Sequence, residues 1–220
     1  MNMRKLLGVV SCALFVAIFL TISATTAKAQ QVPVPPIDPE ANLDTQLYLI
    51  VGTNQDVDDA RLPASLDNVI KQLRASLPFK NYRLAATLVN RVRNEGRLDL
   101  RWIGGPFAGP TGTASATTPS FSEFKIGVVK LARNAEGQAV VHMLRFSFGA
   151  RIPIVTGTTP AQAGTGGAPG GGFPIINYDN TGLNTDISLR EGEPVVVGTL
   201  NAGPSGDAII LVVSAKRTNR

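Results

Sequence analysis

The chain has 220 residues, with 21 Lys or Arg against 16 Asp or Glu, one cysteine and one histidine. This length allows one hydrophobic core or two small ones. An ordinary zinc site is close to excluded, because such sites draw on several His and Cys side chains at close spacing. Basic residues are not grouped in runs or interleaved with aromatics, so nucleic-acid binding has no electrostatic support.

The first 29 residues have the order of a secretory signal peptide. Basic residues at positions 4 and 5 precede an apolar run, Leu6–Leu20, and Ala27-Lys28-Ala29 supplies small residues. This order predicts cleavage between Ala29 and Gln30. The alternative is an uncleaved membrane anchor, although the apolar run reaches only the short end of the roughly 17–25 residues that a spanning helix needs.

Cleavage at this position removes Cys12 and three basic residues. The remaining chain then has no disulfide, no thiolate metal site and no cysteine nucleophile. Its net charge falls from +5 to +2, since Arg4, Lys5 and Lys28 leave and no acidic residue does. We expect an exported protein of the periplasm or outer envelope, with secretion as the other outcome. No segment of the mature chain is predicted to span a membrane.

Residues 30–45 form a proline-rich, extended lead-in, and residues 46–103 are predicted to form a β-α-β-β module. The first strand, Gln46–Thr53, is nearly all apolar and is therefore expected to be buried on both faces. A helix is predicted over Ala64–Leu77, where apolar residues follow helical spacing and Pro78 ends the pattern. Its apolar stripe consists of Leu66, Val69, Ile70, Leu73 and Leu77.

The last two strands of this module are predicted to pair as a β-hairpin. The turn Asn94-Glu95-Gly96 connects a strand over 82–92 to Leu98–Trp102, in which apolar and charged residues alternate. In the earlier strand, alternate apolar positions are expected to share one face. These positions are Tyr82, Leu84, Ala86, Leu88 and Val92.

Residues 104–120 are predicted to be a linker or long loop, and residues 121–220 an antiparallel β-meander. A flexible glycine-rich loop, 156–174, interrupts the meander. The fold class is therefore α+β and mostly β. Strands are predicted at Phe121–Ala132, Ala139–Phe148, Thr185–Arg190, Pro194–Leu200 and Ala208–Lys216. In the second of these, Val140, His142, Leu144, Phe146 and Phe148 are expected to share one face.

Candidate catalytic and binding residues are few. His142 lies among apolar strand residues, so we interpret it as a partly buried strand histidine rather than part of a triad. The acidic loop Asn54–Asp59 lacks the glycine and distal glutamate of a calcium loop. The glycine stretches Gly104–Gly112 and Gly164–Gly172 lack the Gly-Lys-Ser/Thr ending of a phosphate loop. Glu191 and Glu193 are interpreted as turn residues. No catalytic residue, metal or cofactor is predicted, and the chain is not expected to be an enzyme.

Thr185–Leu200 reads TDISLREGEPVVVGTL, which is similar to a late β-hairpin of the secretins. These proteins are the ring-forming outer-membrane channels of type II and type III secretion and type IV pilus systems. The residues that match are Gly192, Glu193, Val195, Val196, Val197, Gly198 and Leu200. Pro194 and Thr199 depart from the pattern, and Asn201–Asp207 is a short turn where secretins carry a proline-bearing amphipathic lip.

This resemblance implies a secretin-like β domain over 121–220, in a protein that acts by assembly or binding in protein secretion. It implies self-association into a ring and contacts with other secretion or pilus envelope proteins, with cell outer membrane localisation. Without the lip, channel conductance by this chain alone is not expected. The alternative is a soluble secreted or periplasmic ligand-binding module, and an uncommon hydrolase is a third interpretation.

Overall fold

The computed structural model describes residues 38–56, 62–104, 118–159, 173–201 and 206–218. The predicted signal peptide, the Ala29–Gln30 cleavage site and the first half of the proline-rich lead-in lie outside these ranges. So do most of the linker at 104–120 and the centre of the glycine-rich loop.

Within these ranges, eight strands form two antiparallel four-stranded sheets, with one short helix. This architecture confirms the predicted α+β, mostly β class. The strands are β1 (Asn42–Thr53), β2 (Asn81–Arg93), β3 (Leu98–Ile103), β4 (Phe121–Arg133), β5 (Ala139–Thr158), β6 (Pro174–Arg190), β7 (Val195–Asn201) and β8 (Ala208–Arg217). Sheet A has the order β2-β1-β8-β7, and sheet B has the order β3-β4-β5-β6.

The main hydrophobic core lies between the two sheets. Sheet A contributes residues such as Leu47 and Leu211, and sheet B contributes Phe124, Phe146 and Phe148. Phe124 and Phe146 are neighbours across the sheet, with ring centroids 5.3 Å apart and planes tilted by 56°. Two sheets that bury one face each against the other form the stable arrangement for amphipathic strands.

A second, smaller core lies on the other face of sheet A, under the helix α1 (Asp67–Ser76). A 3₁₀ turn, Ala64–Leu66, precedes the helix. The predicted apolar stripe is confirmed: Leu66, Val69, Ile70 and Leu73 are buried against sheet A, and Leu77 is partly buried there. Because α1 covers one face and sheet B the other, β1 and β8 are buried on both sides.

The predicted hairpin between β2 and β3 is wrong. β2 pairs with β1 in sheet A, whereas β3 pairs with β4 in sheet B. The turn Asn94-Glu95-Gly96 carries the chain from one sheet to the other. The buried Asn94 holds this corner, since its side-chain Oδ1 accepts a hydrogen bond from the Leu131 backbone N–H at 2.8 Å. Glu95 adopts a φ of 62° and donates its backbone N–H to Val129 O at 2.7 Å.

The predicted shared face of β2 is also wrong, because a β-bulge lies in the pairing of β1 and β2. Leu49 pairs with Ala86 and Ile50 with Leu84, which leaves Ala85 as the extra residue. Tyr82 and Leu84 therefore face the helix, whereas Ala86, Leu88 and Val92 face sheet B. A bulge moves every later side chain of a strand to the opposite face.

The predicted shared face of β5 is also wrong, because the alternation of buried and exposed side chains is interrupted within the strand. Met143 pairs with Ile187 and Phe146 with Thr185, so the alternation breaks at Leu144 and Arg145. Arg145 has a φ of 54°. Val141 and Met143 are therefore buried before the break, and Phe146 and Phe148 after it, while Leu144 is 41% exposed. Val140, His142 and Leu144 do not share the face of Phe146, contrary to the strict period-two prediction.

Strand pairing joins the two halves of the sequence. β1 pairs with β2 on one side and with β8 on the other. The predicted module 46–103 and the predicted β domain 121–220 therefore contribute neighbouring strands to the same sheet.

Candidate functional site

The residues that match the secretin pattern form a second corner between the sheets. β6 pairs with β5 in sheet B and β7 pairs with β8 in sheet A, so the strands flanking Glu191-Gly192 are not a hairpin. Gly192 has a φ of 81°, which favours glycine, and donates its N–H to Ala215 O at 2.7 Å. Glu193 donates its backbone N–H to Arg190 O at 3.1 Å and exposes its side chain.

An ion pair between Glu191 and Arg217 links this corner to the end of β8. Both carboxylate oxygens of Glu191 accept hydrogen bonds from Arg217 Nε, at 2.9 and 3.0 Å, and Oε1 also accepts the Arg217 backbone N–H at 2.8 Å. Burial acts to raise the pKa of the Glu191 carboxyl, but the side-chain and backbone hydrogen bonds from Arg217 outweigh it. The pKa of Glu191 is therefore lowered.

The valine run after the corner faces both cores. Val195 and Val197 pack in the core between the sheets, whereas Val196 packs on the helix side. This alternation and the antiparallel pairing of β7 with β8 were both predicted and are confirmed. Gly198 lies beneath the Leu183 side chain, since a Cβ there would come within 2.9 Å of Leu183 Cδ2. The motif residues therefore contribute to the corner between the sheets and to the two cores.

The edges of the sheets are the next candidate surface. β6 has 17 residues and pairs with β5 on one side, while its other edge carries no strand among the described residues. Of the other edge strands, β3 and β7 have only 6 and 7 residues, and β2 has 13. A long edge strand presents backbone N–H and C=O groups that can pair with another chain.

β5 and β6 also extend beyond the rest of sheet B as a two-stranded arm. β4 pairs with β5 only as far as Phe121 and Arg151, whereas β5 and β6 remain paired from Ile152–Asp179 to Thr158–Pro174. We call Ile152–Thr158 and Pro174–Asp179 the arm. Its strands include Thr156–Thr158 and Pro174, at the two ends of the predicted flexible loop 156–174.

The outer face of sheet B forms a trough at the base of the arm. Neighbouring strands place Ile103, Phe121, Arg151 and Asn180 in one cross-strand row and Arg101, Glu123, Gly149 and Gly182 in the next. Gly149 lies at its floor against the Glu123 side chain, since a Cβ there would come within 3.3 Å of Glu123 Cγ, and the volume of the trough is about 650 Å³. Phe121 and Ile103 give it apolar walls, and Arg101, Arg151 and Asn180 give it polar ones.

The charged side chains around the trough differ in whether they have an ion-pair partner. Lys125 Nζ donates to Glu123 Oε2 at 2.8 Å, and this hydrogen bond lowers the pKa of Glu123. Arg101 Nε lies 3.8 Å from the same carboxylate oxygen. Arg151 has no carboxylate partner among the described residues, and its guanidinium lies 5.4 Å from the centroid of the Tyr178 ring. Tyr178 in turn contacts Phe121, with ring centroids 5.8 Å apart.

No sequence pattern singled out these trough residues. They come from four strands, and only the pairing register brings them together. The available signal was a glycine at the centre of each of two strands, Gly149 and Gly182, which often marks a close approach by a ligand or another backbone.

His142 is half exposed on the outer face of sheet B, where its Nδ1 lies 2.7 Å from Ser188 Oγ. Within the described ranges no carboxylate hydrogen-bonds to this imidazole, so the pair lacks the orienting group of a catalytic triad. Nor do three or more His, Cys, Asp or Glu side chains come together there in a group that could hold a metal ion. No helix in the described part of the chain has the length and apolarity needed to cross a membrane.

The sequence matches no protein-family model. It also matches no curated protein sequence.

Among solved structures, the chain is similar to the Vibrio cholerae type IV competence pilus secretin PilQ, with 12% identity and a TM-score of 0.34. It is similar to the Salmonella type III secretion injectisome secretin InvG, with 10% identity and a TM-score of 0.31. A third similar structure is the Klebsiella pneumoniae type II secretion system outer membrane complex with PulD, at 12% identity and a TM-score of 0.32. The matches cover 83%, 82% and 82% of this chain, and 62%, 66% and 39% of the other chains.

Proposed function

We propose that this chain is a non-enzymatic, exported envelope protein that acts by assembly, as a secretin-like component of a secretion or pilus-type system. The sequence resemblance over Gly192–Leu200 supports the family relationship. Those residues form a sheet-switching corner and a strand whose valines face two cores. A motif with this role supports a relationship in fold and gives no evidence of catalysis.

The observation that carries the assembly proposal is the open edge of β6 together with the arm. An isolated two-stranded hairpin is only marginally stable in water. The arm has no third strand among the described residues, so pairing along its edges would stabilise it. β3 is the opposite edge of the same sheet, and its pairing with β6 of a second copy would continue sheet B from subunit to subunit. Repetition of such a head-to-tail contact closes a ring when the rotation allows it.

Cysteine cross-linking tests this contact, because the exported chain is expected to contain no cysteine of its own. Asp99 on β3 and Asn184 on β6 lie in one cross-strand row of the outer face. A mixture of the Asp99→Cys and Asn184→Cys variants should therefore give a disulfide-linked pair under oxidation. Asn180→Cys, one row further along β6 from the paired glycines, covers a shifted register.

The matched control is Lys71→Cys on the exposed side of α1. It should not cross-link to Asp99→Cys above the background of random collision. Equal cross-linking from the helix and from β6, or none from either β6 position, would contradict assembly through this edge. A protein that also stays monomeric would then fit the soluble ligand-binding module.

Export is the other part of the proposal. The protein recovered from the cell envelope should have Gln30 as its N-terminal residue, and replacement of Ala29 by a bulky residue should block processing. Membrane-embedded protein that retains Met1 would instead indicate an uncleaved anchor.

A further inference from the structure

We propose that the trough on the outer face of sheet B binds a neutral oligosaccharide, which lies across the strands at the base of the arm. Arg151, Asn180 and Glu123 would hydrogen-bond its hydroxyl groups. Phe121 would contact the apolar face of one sugar ring. This inference goes beyond assembly and does not depend on it, because pairing of β3 with β6 would use the edges of sheet B and not its outer face.

The first support is the balance of charge in the trough. The charged residues that line it are Arg101, Glu123 and Arg151. Glu123 has Lys125 Nζ at 2.8 Å and Arg101 Nε at 3.8 Å, so its charge is already compensated. A strongly anionic ligand is favoured where several uncompensated cations converge, which is not the arrangement here. Donors beside an acceptor instead suit a ligand rich in hydroxyl groups, since each hydroxyl both donates and accepts.

The second support is an apolar surface beside these polar groups. Phe121 lies in the same cross-strand row as Arg151 and Asn180, and it is 37% exposed. Ile103, the neighbour of Phe121 in that row, is 71% exposed. A sugar ring has C–H groups on its faces and hydroxyl groups at its rim, so it can contact apolar and polar side chains at once. Apolar walls with a few placed polar groups are typical of sites for small molecules.

The third support is the extended shape of the trough. It crosses all four strands of sheet B, whose spacing of about 4.8 Å gives it a length of roughly 14 Å. An extended chain of rings fits this length, whereas a small ion would occupy only part of it. Backbone groups inside the sheet are used in pairing between its strands, so a ligand on this face meets mainly side chains. A peptide has backbone groups that also need partners, which this face does not supply.

The polar side chains of the trough are held in place by their neighbours. The Tyr178 ring contacts Phe121, with centroids 5.8 Å apart, and the Arg151 guanidinium lies over it at 5.4 Å. The hydrogen bond from Lys125 holds the Glu123 carboxylate. Side chains that are already ordered lose less conformational entropy when a ligand binds, which favours affinity.

Isothermal titration calorimetry tests the site with two neutral probes, cellotetraose and the tetrasaccharide of N-acetylglucosamine. The chain beginning at Gln30 should bind at least one of them. Because these probes carry no charge, the affinity should change little between low salt and about 0.3 M salt. A preference for the second probe would assign an acetamido sugar, and otherwise hydroxyl groups and ring faces suffice for recognition.

Two matched pairs of substitutions locate the binding. Asn180→Ala should weaken it by about three- to tenfold, the factor that corresponds to one hydrogen bond. Asn184→Ala removes an exposed amide of the same strand outside the trough and should leave binding unchanged. Phe121→Ala should weaken binding by about tenfold, whereas Leu144→Ala, at a position 41% exposed on β5, should not. Because Asn180 is exposed, its substitution tests the site even if Phe121→Ala lowers stability.

Three outcomes would overturn the proposal: no binding of either probe, equal effects of Asn180→Ala and Asn184→Ala, or loss of binding in about 0.3 M salt. The third would indicate recognition of an anion. If Asp99→Cys and Asn184→Cys fail to cross-link but titration follows the predicted pattern, the edge proposal fails and the sugar site stands. Cross-linking without any binding of the probes would leave assembly in place and remove the sugar site.

Discussion

Sheet A and sheet B have the same number of strands but differ in what covers them. α1 covers one face of sheet A and sheet B covers the other, so β1 and β8 are buried on both sides. Among the described residues, only the inner face of sheet B is covered, and its outer face carries the charged rows and the trough. The comparison teaches that hydrophobicity alone identifies a strand buried on both faces, whereas a strand with one buried face also requires the correct register.

The largest expected effects come from neighbouring positions in the two sheets. Ile210 and Leu211 of β8 are both 0% exposed, on opposite faces. Ile210→Ala and Leu211→Ala should therefore each lower the free energy of unfolding by about 2–5 kcal/mol. In β5, Phe146→Ala should cost about 3–5 kcal/mol, whereas Ser147→Ala on the outer face should stay within about 0.5 kcal/mol. Urea unfolding measures the stability of all four variants. A small effect of either β8 substitution would contradict the burial of β8 on both faces.

A second pair of substitutions sharpens the comparison at the irregularity in β5. Met143 is fully buried, and Leu144 is 41% exposed. Met143→Ala should lower the unfolding free energy by about 2–5 kcal/mol, and Leu144→Ala by less than about 1 kcal/mol. The reverse order would restore the uninterrupted alternation that the sequence suggested and would contradict the break at Leu144 and Arg145.

The corner between β2 and β3 connects the two sheets and should tolerate little change. Asn94→Ala leaves the buried Leu131 N–H without its 2.8 Å acceptor, so it should cost about 1–3 kcal/mol. Asn68→Ala, at an exposed position of α1, is the control and should have almost no effect. Thermal or urea unfolding compares them, and equal stabilities of the two variants would show that the Asn94 side chain does not hold the corner.

The corner between β6 and β7 should show its contribution in the pH dependence of stability. Because the folded pKa of Glu191 is lowered, its ion pair stabilises the fold fully above the unfolded pKa of about 4.3. That contribution is lost as the pH falls through the folded pKa. Glu191→Gln should therefore be less stable than the unsubstituted chain near neutral pH, and the difference should shrink as the pH falls below about 4.3. Glu136→Gln, in the exposed turn before β5, should not show this change. A difference that stays constant down to acid pH would contradict the assignment.

The difference between the two sheets explains which elements could be predicted from the sequence. The continuous apolar run of β1, the helical stripe of α1 and the β7–β8 hairpin could be predicted because each depends on local spacing or on one short turn. The two sheet-switching corners could not, since Asn94-Glu95-Gly96 and Glu191-Gly192 have the composition of hairpin turns. Whether such a turn returns the chain to the same sheet depends on distant partners such as Val129 and Ala215.

The trough could not be predicted from the sequence, for a related reason. Arg101, Phe121 and Arg151 become neighbours only through the registers of β3, β4 and β5, and these registers pair residues that are far apart in the sequence. The matched secretin residues, by contrast, were found by sequence resemblance and proved to be structural, with Val195 and Val196 facing different cores.

The central claim is that the chain acts by assembly through the open edge of sheet B, and sedimentation velocity tests it most directly. The chain from Gln30 should sediment as a species of several monomer masses, alone or once envelope membrane or a partner protein is supplied. Dilution should return it to the monomer in a concentration-dependent way if the edges pair reversibly. A strictly monomeric protein under every one of these conditions would contradict the account and leave the soluble ligand-binding module in its place.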